Sequence, residues 1–194
     1  MAYNYKLLTK EDFRNGDKKI FERLFGGSQK GAVSGTGVTI VESAGKTIFT
    51  LTNVAVPTVD ATTSGAGGGL KLYTFPEGLL DYRGAVANVT LTAAAGITAT
   101  AAVVSALGTV AAAADATLTS TEADLLPSTA TSLTASAGTF AAVSTTAQSA
   151  LLDGTATAKA LYLNFGIPDA GSTANSTITV SGTITVAWSL IADK

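Results

Sequence analysis

The chain has 194 residues, 46% of them hydrophobic, with a formal net charge of −2 and neither His nor Cys. That length and composition suit one domain with an ample core. The missing residue types exclude disulfide frameworks, thiolate metal sites and Ser-His-Asp or Cys-His catalytic groupings, and the slight negative charge argues against nucleic acid as a partner, since phosphate binding needs clustered Lys and Arg.

The charges are unevenly placed. Between Tyr5 and Arg23 ten of nineteen residues are charged, whereas between Leu91 and Ala160 only five of seventy are, and 45 of those seventy are Ala, Ser or Thr. Residues 1–30 carry seven basic and four acidic side chains; residues 31–194 carry five and ten. The chain therefore divides into a basic arm, 1–30, and an acidic body, 31–194, whose surroundings should differ. An ordinary solvated terminus would carry the same charges, so the division alone does not fix a partner.

In the arm, Thr9 can cap a helix whose first turn holds Glu11 and Asp12, and Asn15-Gly16 interrupts it. Asp17 can cap a second short helix with Ile20, Phe21, Leu24 and Phe25 on one face, stopped by Gly26-Gly27. A helix that short is not stable alone in water, so its apolar face must dock on the body or on another subunit. Ser28 to Gly37 reads as a linker.

From Val38 the period becomes two. Val38 to Glu42 and Thr47 to Val54 flank Ser43-Ala44-Gly45-Lys46 and predict a hairpin. Residues 60–69, rich in glycine, read as a flexible loop. Leu70 to Phe75 reads as a strand closed by Pro76, and Ala85 to Thr92 as a strand with Ala87, Val89 and Leu91 inward. Residues 93–118 mix helix-favouring Ala with strand-favouring Thr and Val and are left as strand or loop. Ser120 to Leu126 looks like one helical turn ended by Pro127. Leu161, Leu163 and Phe165 predict a strand with Tyr162 and Asn164 facing out. From Thr177 to Ile191, Ile178, Val180, Ile184, Val186, Trp188 and Leu190 share one parity, and Gly182 marks a bulge or bend. Six or more such strands give an all-β, antiparallel β-sandwich, jelly-roll-like, with a short N-terminal helical arm.

The chemistry is sparse. Gly45-Lys46-Thr47 resembles the end of a phosphate-binding loop, but Ile40 stands where its first glycine belongs and a strand follows. Glu77 and Asp81 are better read as an exposed turn than as a carboxylate pair. Calcium among loop carboxylates stays open, and no cofactor, resident metal or enzymatic activity is expected. Tyr73, Tyr82, Tyr162 and Trp188 are the candidates for a sugar-binding platform, with Trp188 placed in the core by its parity. No apolar segment of a secretory signal is visible near the start. The uncharged stretch 84–114 is mostly Ala, Thr, Ser and Gly, too weakly apolar to span a bilayer, so no membrane partner is expected.

The strings LKLYTFPEGLLDYRGAVANVTLTA (70–93), TEADLLPSTATSLTA (121–135), ALLDGTATAKALYLNFGIPDA (150–170) and TITVSGTITVAWSL (177–190) resemble a family of tailed-bacteriophage virion proteins. These are small structural proteins encoded near the major capsid protein. The resemblance spans roughly residues 38–190 and leaves out the arm. It implies a capsid decoration (cement) protein of β-sandwich fold, trimeric, bound to the major capsid protein on the outer surface of the virion. A head fibre or tail component, or a surface adhesin or carbohydrate-binding module, are the alternatives. Long uncharged tracts at 84–114 and 125–152 point to contacts between copies. The candidate contacts with capsid or subunit are Lys18, Lys19, Ile20, Phe21, Arg23, Leu24 and Phe25: the apolar side chains as anchor, the cations toward acidic partner groups.

Overall fold

The computed structural model describes residues 32–33, 36–43, 45–144 and 150–192. Eleven strands follow one another: β1 (Ala32–Val33), β2 (Val38–Ser43), β3 (Lys46–Asp60), β4 (Ala66–Thr74), β5 (Gly78–Ala93), β6 (Ala102–Gly108), β7 (Leu126–Ser132), β8 (Ala137–Val143), β9 (Ala150–Gly154), β10 (Ala160–Ile167) and β11 (Ser176–Ala192). Short 3-10 turns at Ser120–Glu122 and Asp169–Gly171 are the helical pieces among the described residues.

All pairings are antiparallel and join into one curled sheet, in the order β7-β6-β10-β4-β3-β11-β5-β8. β1 adds to β4, β2 to β3 and β9 to β5. β3 and β4 pair only beside their shared turn, at Val59↔Gly67 and Asp60↔Ala66, and then diverge. The sheet thus has two halves, β7-β6-β10-β4 and β3-β11-β5-β8. Its two ends come back into contact where the turn after β7 leads into β8, closed by the bridge Thr134↔Ala137.

Period-two patterning explains the core. On β11, Ile178, Val180, Ile184, Val186 and Trp188 are buried, as their shared parity predicts. They meet Phe49, Leu51, Val54 and Val56 of β3, Val89 and Leu91 of β5, and Leu161, Leu163 and Phe165 of β10 in one cluster. Gly182 sits at a register shift with φ +138, and a Cβ there would strike the Asn88 carbonyl. The extra residue lies on β3, where Asn53 donates its N–H to Ser181 Oγ at 2.9 Å. The hairpin at 38–54 forms with a tighter turn than expected, its ladder running to Ser43↔Lys46.

Two expectations about β4 and β10 are overturned, and both for the same reason. The glycine-rich stretch is not a loop throughout: β4 begins at Ala66 and contains Gly67, Gly68 and Gly69. Asn164 is not solvated: it is fully buried. Residues 109–125, between β6 and β7, cross the outside of the first half-sheet as a strap. Added Cβ atoms would collide with Ala113 O and Asp115 O at Gly67, with Ala112 N and Asn164 Oδ1 at Gly69, and with Ala116 O at Gly166. Glycine is present because strap backbone lies directly on sheet backbone.

Asn164 ties that strap down. Its Nδ2 donates to Val110 O at 2.9 Å and Glu122 O at 2.7 Å, and its Oδ1 accepts from Ala112 N–H at 2.9 Å. The strap is closed on itself by the Glu122 carboxylate, which accepts from Ala113 N–H at 2.9 Å and Thr119 N–H at 3.0 Å. Asp124 accepts from Thr109 N–H at 2.8 Å and Thr109 Oγ1 at 2.7 Å. Of the ambiguous stretch 93–118, Ala102–Gly108 is strand and most of the remainder is turn or strap. The expected helical turn survives as Ser120–Glu122, and Pro127 falls on β7, at an end of the strand order where no ladder N–H is required of it.

Candidate functional site

Lys18, Lys19, Ile20, Phe21, Arg23, Leu24 and Phe25, with the helices expected around them, lie outside the described residues. The chain enters the described fold at β1, where Ala32 pairs with Thr74 and Val33 with Tyr73.

The aromatic candidates do not form a platform. Tyr73 and Tyr82 are fully buried, Trp188 is 7% exposed, and Tyr162 alone of the four is partly accessible. Tyr73 and Phe75 meet edge to face at 5.2 Å, and Phe75 and Trp188 at 5.3 Å, geometry that suits ring quadrupoles packed in a core. Their polar atoms are satisfied inside: Trp188 Nε1 donates to the buried Thr47 Oγ1 at 2.9 Å, and Tyr73 OH to Glu42 Oε1 at 2.5 Å. Tyr82 OH donates to Leu125 O, at the end of the strap, and burial pushes its phenol well above the ordinary tyrosine value.

The acids are engaged locally. Asp81 lies inside β5 rather than on a turn and pairs with Arg83 at 2.6 Å, while Arg83 also donates to Ser189 Oγ at 3.1 Å. Asp153 accepts from Thr155 Oγ1 at 2.6 Å and Thr155 N–H at 3.0 Å, which hold its carboxyl below the usual range. Among the described residues, no three or more acids cluster in a way that could hold a metal ion. Nor, among them, is any helix long and apolar enough to cross a membrane.

What remains is a surface: the outer face of the second half-sheet. Strand registers align its side chains in rows. One row reads Val143 (β8), Val86 (β5), Thr185 (β11), Ile48 (β3) and Val41 (β2). Val143, Val86 and Val41 are 68%, 44% and 64% exposed. The next row is Ala141, Asn88, Thr183, Thr50 and Thr39, all exposed, and beyond it come Thr139, Thr90 and Ser181. On the other side lie Gly84, Ala187, Lys46 and Ser43. Among the named positions Lys46 alone is charged, and the Asp81–Arg83 pair stands past it at the same end.

Sequence reading did not single out this face. Its signal is weak: Val86 and Val41 are lone large residues at polar parity among Thr and Ala, visible only once five strands are set in register. The chain matches no protein-family model and no curated protein sequence.

Proposed function

We propose that the protein is a non-enzymatic structural component of a tailed-phage virion, placed on the outer capsid surface. There it binds the lattice of the major capsid protein and reinforces it. The observation that carries this reading is where the phage-like strings fall. Residues 70–93 lie on β4 and β5, 121–135 on the strap end and β7, 150–170 on β9 and β10, and 177–190 within β11. The likeness therefore runs through the framework of the body rather than through one loop. On the same reading the curled sheet is a jelly-roll-like β-sandwich, and copies form trimers.

A cement protein needs a rigid module and an adhesive surface rather than reactive groups. Small Ala, Ser and Thr side chains lose little conformational entropy when a broad surface is immobilised. Each contact can be weak, because attachment across a symmetric lattice multiplies it. The arm supplies the anchor: Ile20, Phe21, Leu24 and Phe25 bury apolar surface worth about 1.5–3 kcal/mol per side chain before ordering costs, and Lys18, Lys19 and Arg23 face acidic groups. The test is co-sedimentation with empty capsids that lack the protein. The full chain is expected to bind at saturable stoichiometry, and a chain without residues 1–27 to stay folded and lose binding. Absence of binding by the full chain overturns the capsid reading; equal binding by the truncated chain overturns the arm as anchor.

A further inference from the structure

The first half-sheet has its outer face covered by the strap, and the second has nothing described upon it. We propose that the outer face of β8-β5-β11-β3-β2 is the contact between two copies of this chain, stacked face to face about a two-fold axis near Thr185.

Three observations select a second copy as the occupant. The face is almost free of charge, with Lys46 alone at one end among the aligned positions, so a charged partner would find nothing to pair with, whereas an identical face meets no repulsion. The row with three exposed valines and the half-buried Thr185 and Ile48 is close to palindromic across the strands: Val143, Val86, Thr185, Ile48, Val41. A two-fold rotation about its centre sets Val143 against Val41 and Val86 against Ile48, which is the self-complementarity an isologous contact requires.

The area also fits. Five strands about 4.8 Å apart and about eight residues of about 3.3 Å each cover about 600–700 Å² in projection. That approaches the roughly 800 Å² each partner contributes to a standard interface. The charged groups, Lys46 and the Asp81–Arg83 pair, stand together at one end of the face, as charges stand at the rim of such an interface. Twisted sheets stack in this way in sandwiches, rotated by about 30°.

The contact is separate from capsid attachment, so the two readings fail independently. The test measures the mass of the full chain by sedimentation velocity. The expected result is a dimer, or an even multiple of the chain mass if three-fold contacts are also made, and a weakening of at least tenfold in Val86→Asp. That side chain is 44% exposed and stands outside the core, so the variant is expected to keep its circular dichroism. Val110→Asp, equally exposed but on the strapped face, should leave the mass unchanged. Because the chain has no cysteine, Thr185→Cys should be joined to its copy by a short bis-maleimide, and Val110→Cys should not. A monomer at about 100 μM, a mass that Val86→Asp does not lower, or equal cross-linking of both cysteine variants overturns the proposal. Loss of capsid binding with the dimer intact bears on the cement reading alone.

Discussion

The two outer faces of the curled sheet differ in the size of their side chains and end up in opposite states. On β4-β10-β6 the central row is Gly69, Asn164 and Ala106, and backbone from residues 109–125 lies on it, pinned by three hydrogen bonds from one asparagine. On β8-β5-β11-β3-β2 the comparable rows are mostly Thr and Val, and most of their side chains stand in the open, with Thr185 and Ile48 half-buried. Removing side chains lets a chain settle against a sheet; keeping β-branched ones holds it off. Side-chain size closes one face and leaves the other uncovered among the described residues.

That contrast can be broken most forcefully from beneath. Trp188 belongs to the core under the bare face, and Trp188→Ala should cost about 3–5 kcal/mol, measured by denaturant unfolding, as a large core truncation. Retention of near-native stability would mean that the Ile/Val/Trp parity of β11 does not carry the core.

On the strapped face, Asn164→Ala leaves Ala112 N–H, Val110 O and Glu122 O without their partner. The expected loss is about 2–4 kcal/mol. Hydrogen exchange should localise it, with amides of 110–122 losing protection while those of β11 keep theirs. Uniform loss across both faces would show that the strap is not a separable layer.

Alkaline pH should act at the join between strap and sheet. The Tyr82 phenol is buried and its folded pKa raised, so the unfolded chain releases this proton more readily. The stabilisation is fully present below the unfolded value, about 10, and is lost as pH rises above it. Unfolding free energy should therefore fall above about pH 10, and Tyr82→Phe should flatten that slope. A Tyr82→Phe curve as steep as the parent's would place the sensitivity elsewhere.

The smallest effect is expected on the bare face. Val86→Thr should change monomer stability by less than about 0.5 kcal/mol, as surface substitutions do. A cost above 1 kcal/mol in the isolated chain would mean that this face is already covered.

How much of this was legible in the sequence follows from range. β11 and the inward parity of β5 were readable because each strand carries its own alternation, Ile178-Val180 and Ile184-Val186-Trp188 against threonines. Gly182 was readable as a bulge or bend because it interrupts that alternation, though the extra residue proves to lie on the facing strand β3. The strap was not. Asn164 has the parity of a solvated position, and what buries it lies 42 to 54 residues earlier in the chain. Gly67 to Gly69 looked like a loop because glycine signals freedom locally, while here Gly67 and Gly69 answer to strap backbone some 45 residues further on and Gly68 to the backbone of Pro57 on β3. The Val41–Val143 row is invisible for the same reason, since no two of its members are neighbours in sequence. The arm, the clearest functional candidate in the sequence, lies outside the described residues.

The place of β11 has a consequence for how the molecule is made. It lies between β3 and β5, pairing with the first along Ser176–Ala187 and with the second along Ile178–Ala192, yet it is the last of the described strands to be synthesised. Until it leaves the ribosome, β3 and β5 have no strand between them and the Trp188 cluster is missing its centre. Pairings over such sequence separations are slow and come late. The bare face is therefore completed only once β11 is in place, and the contact proposed for it belongs to finished chains.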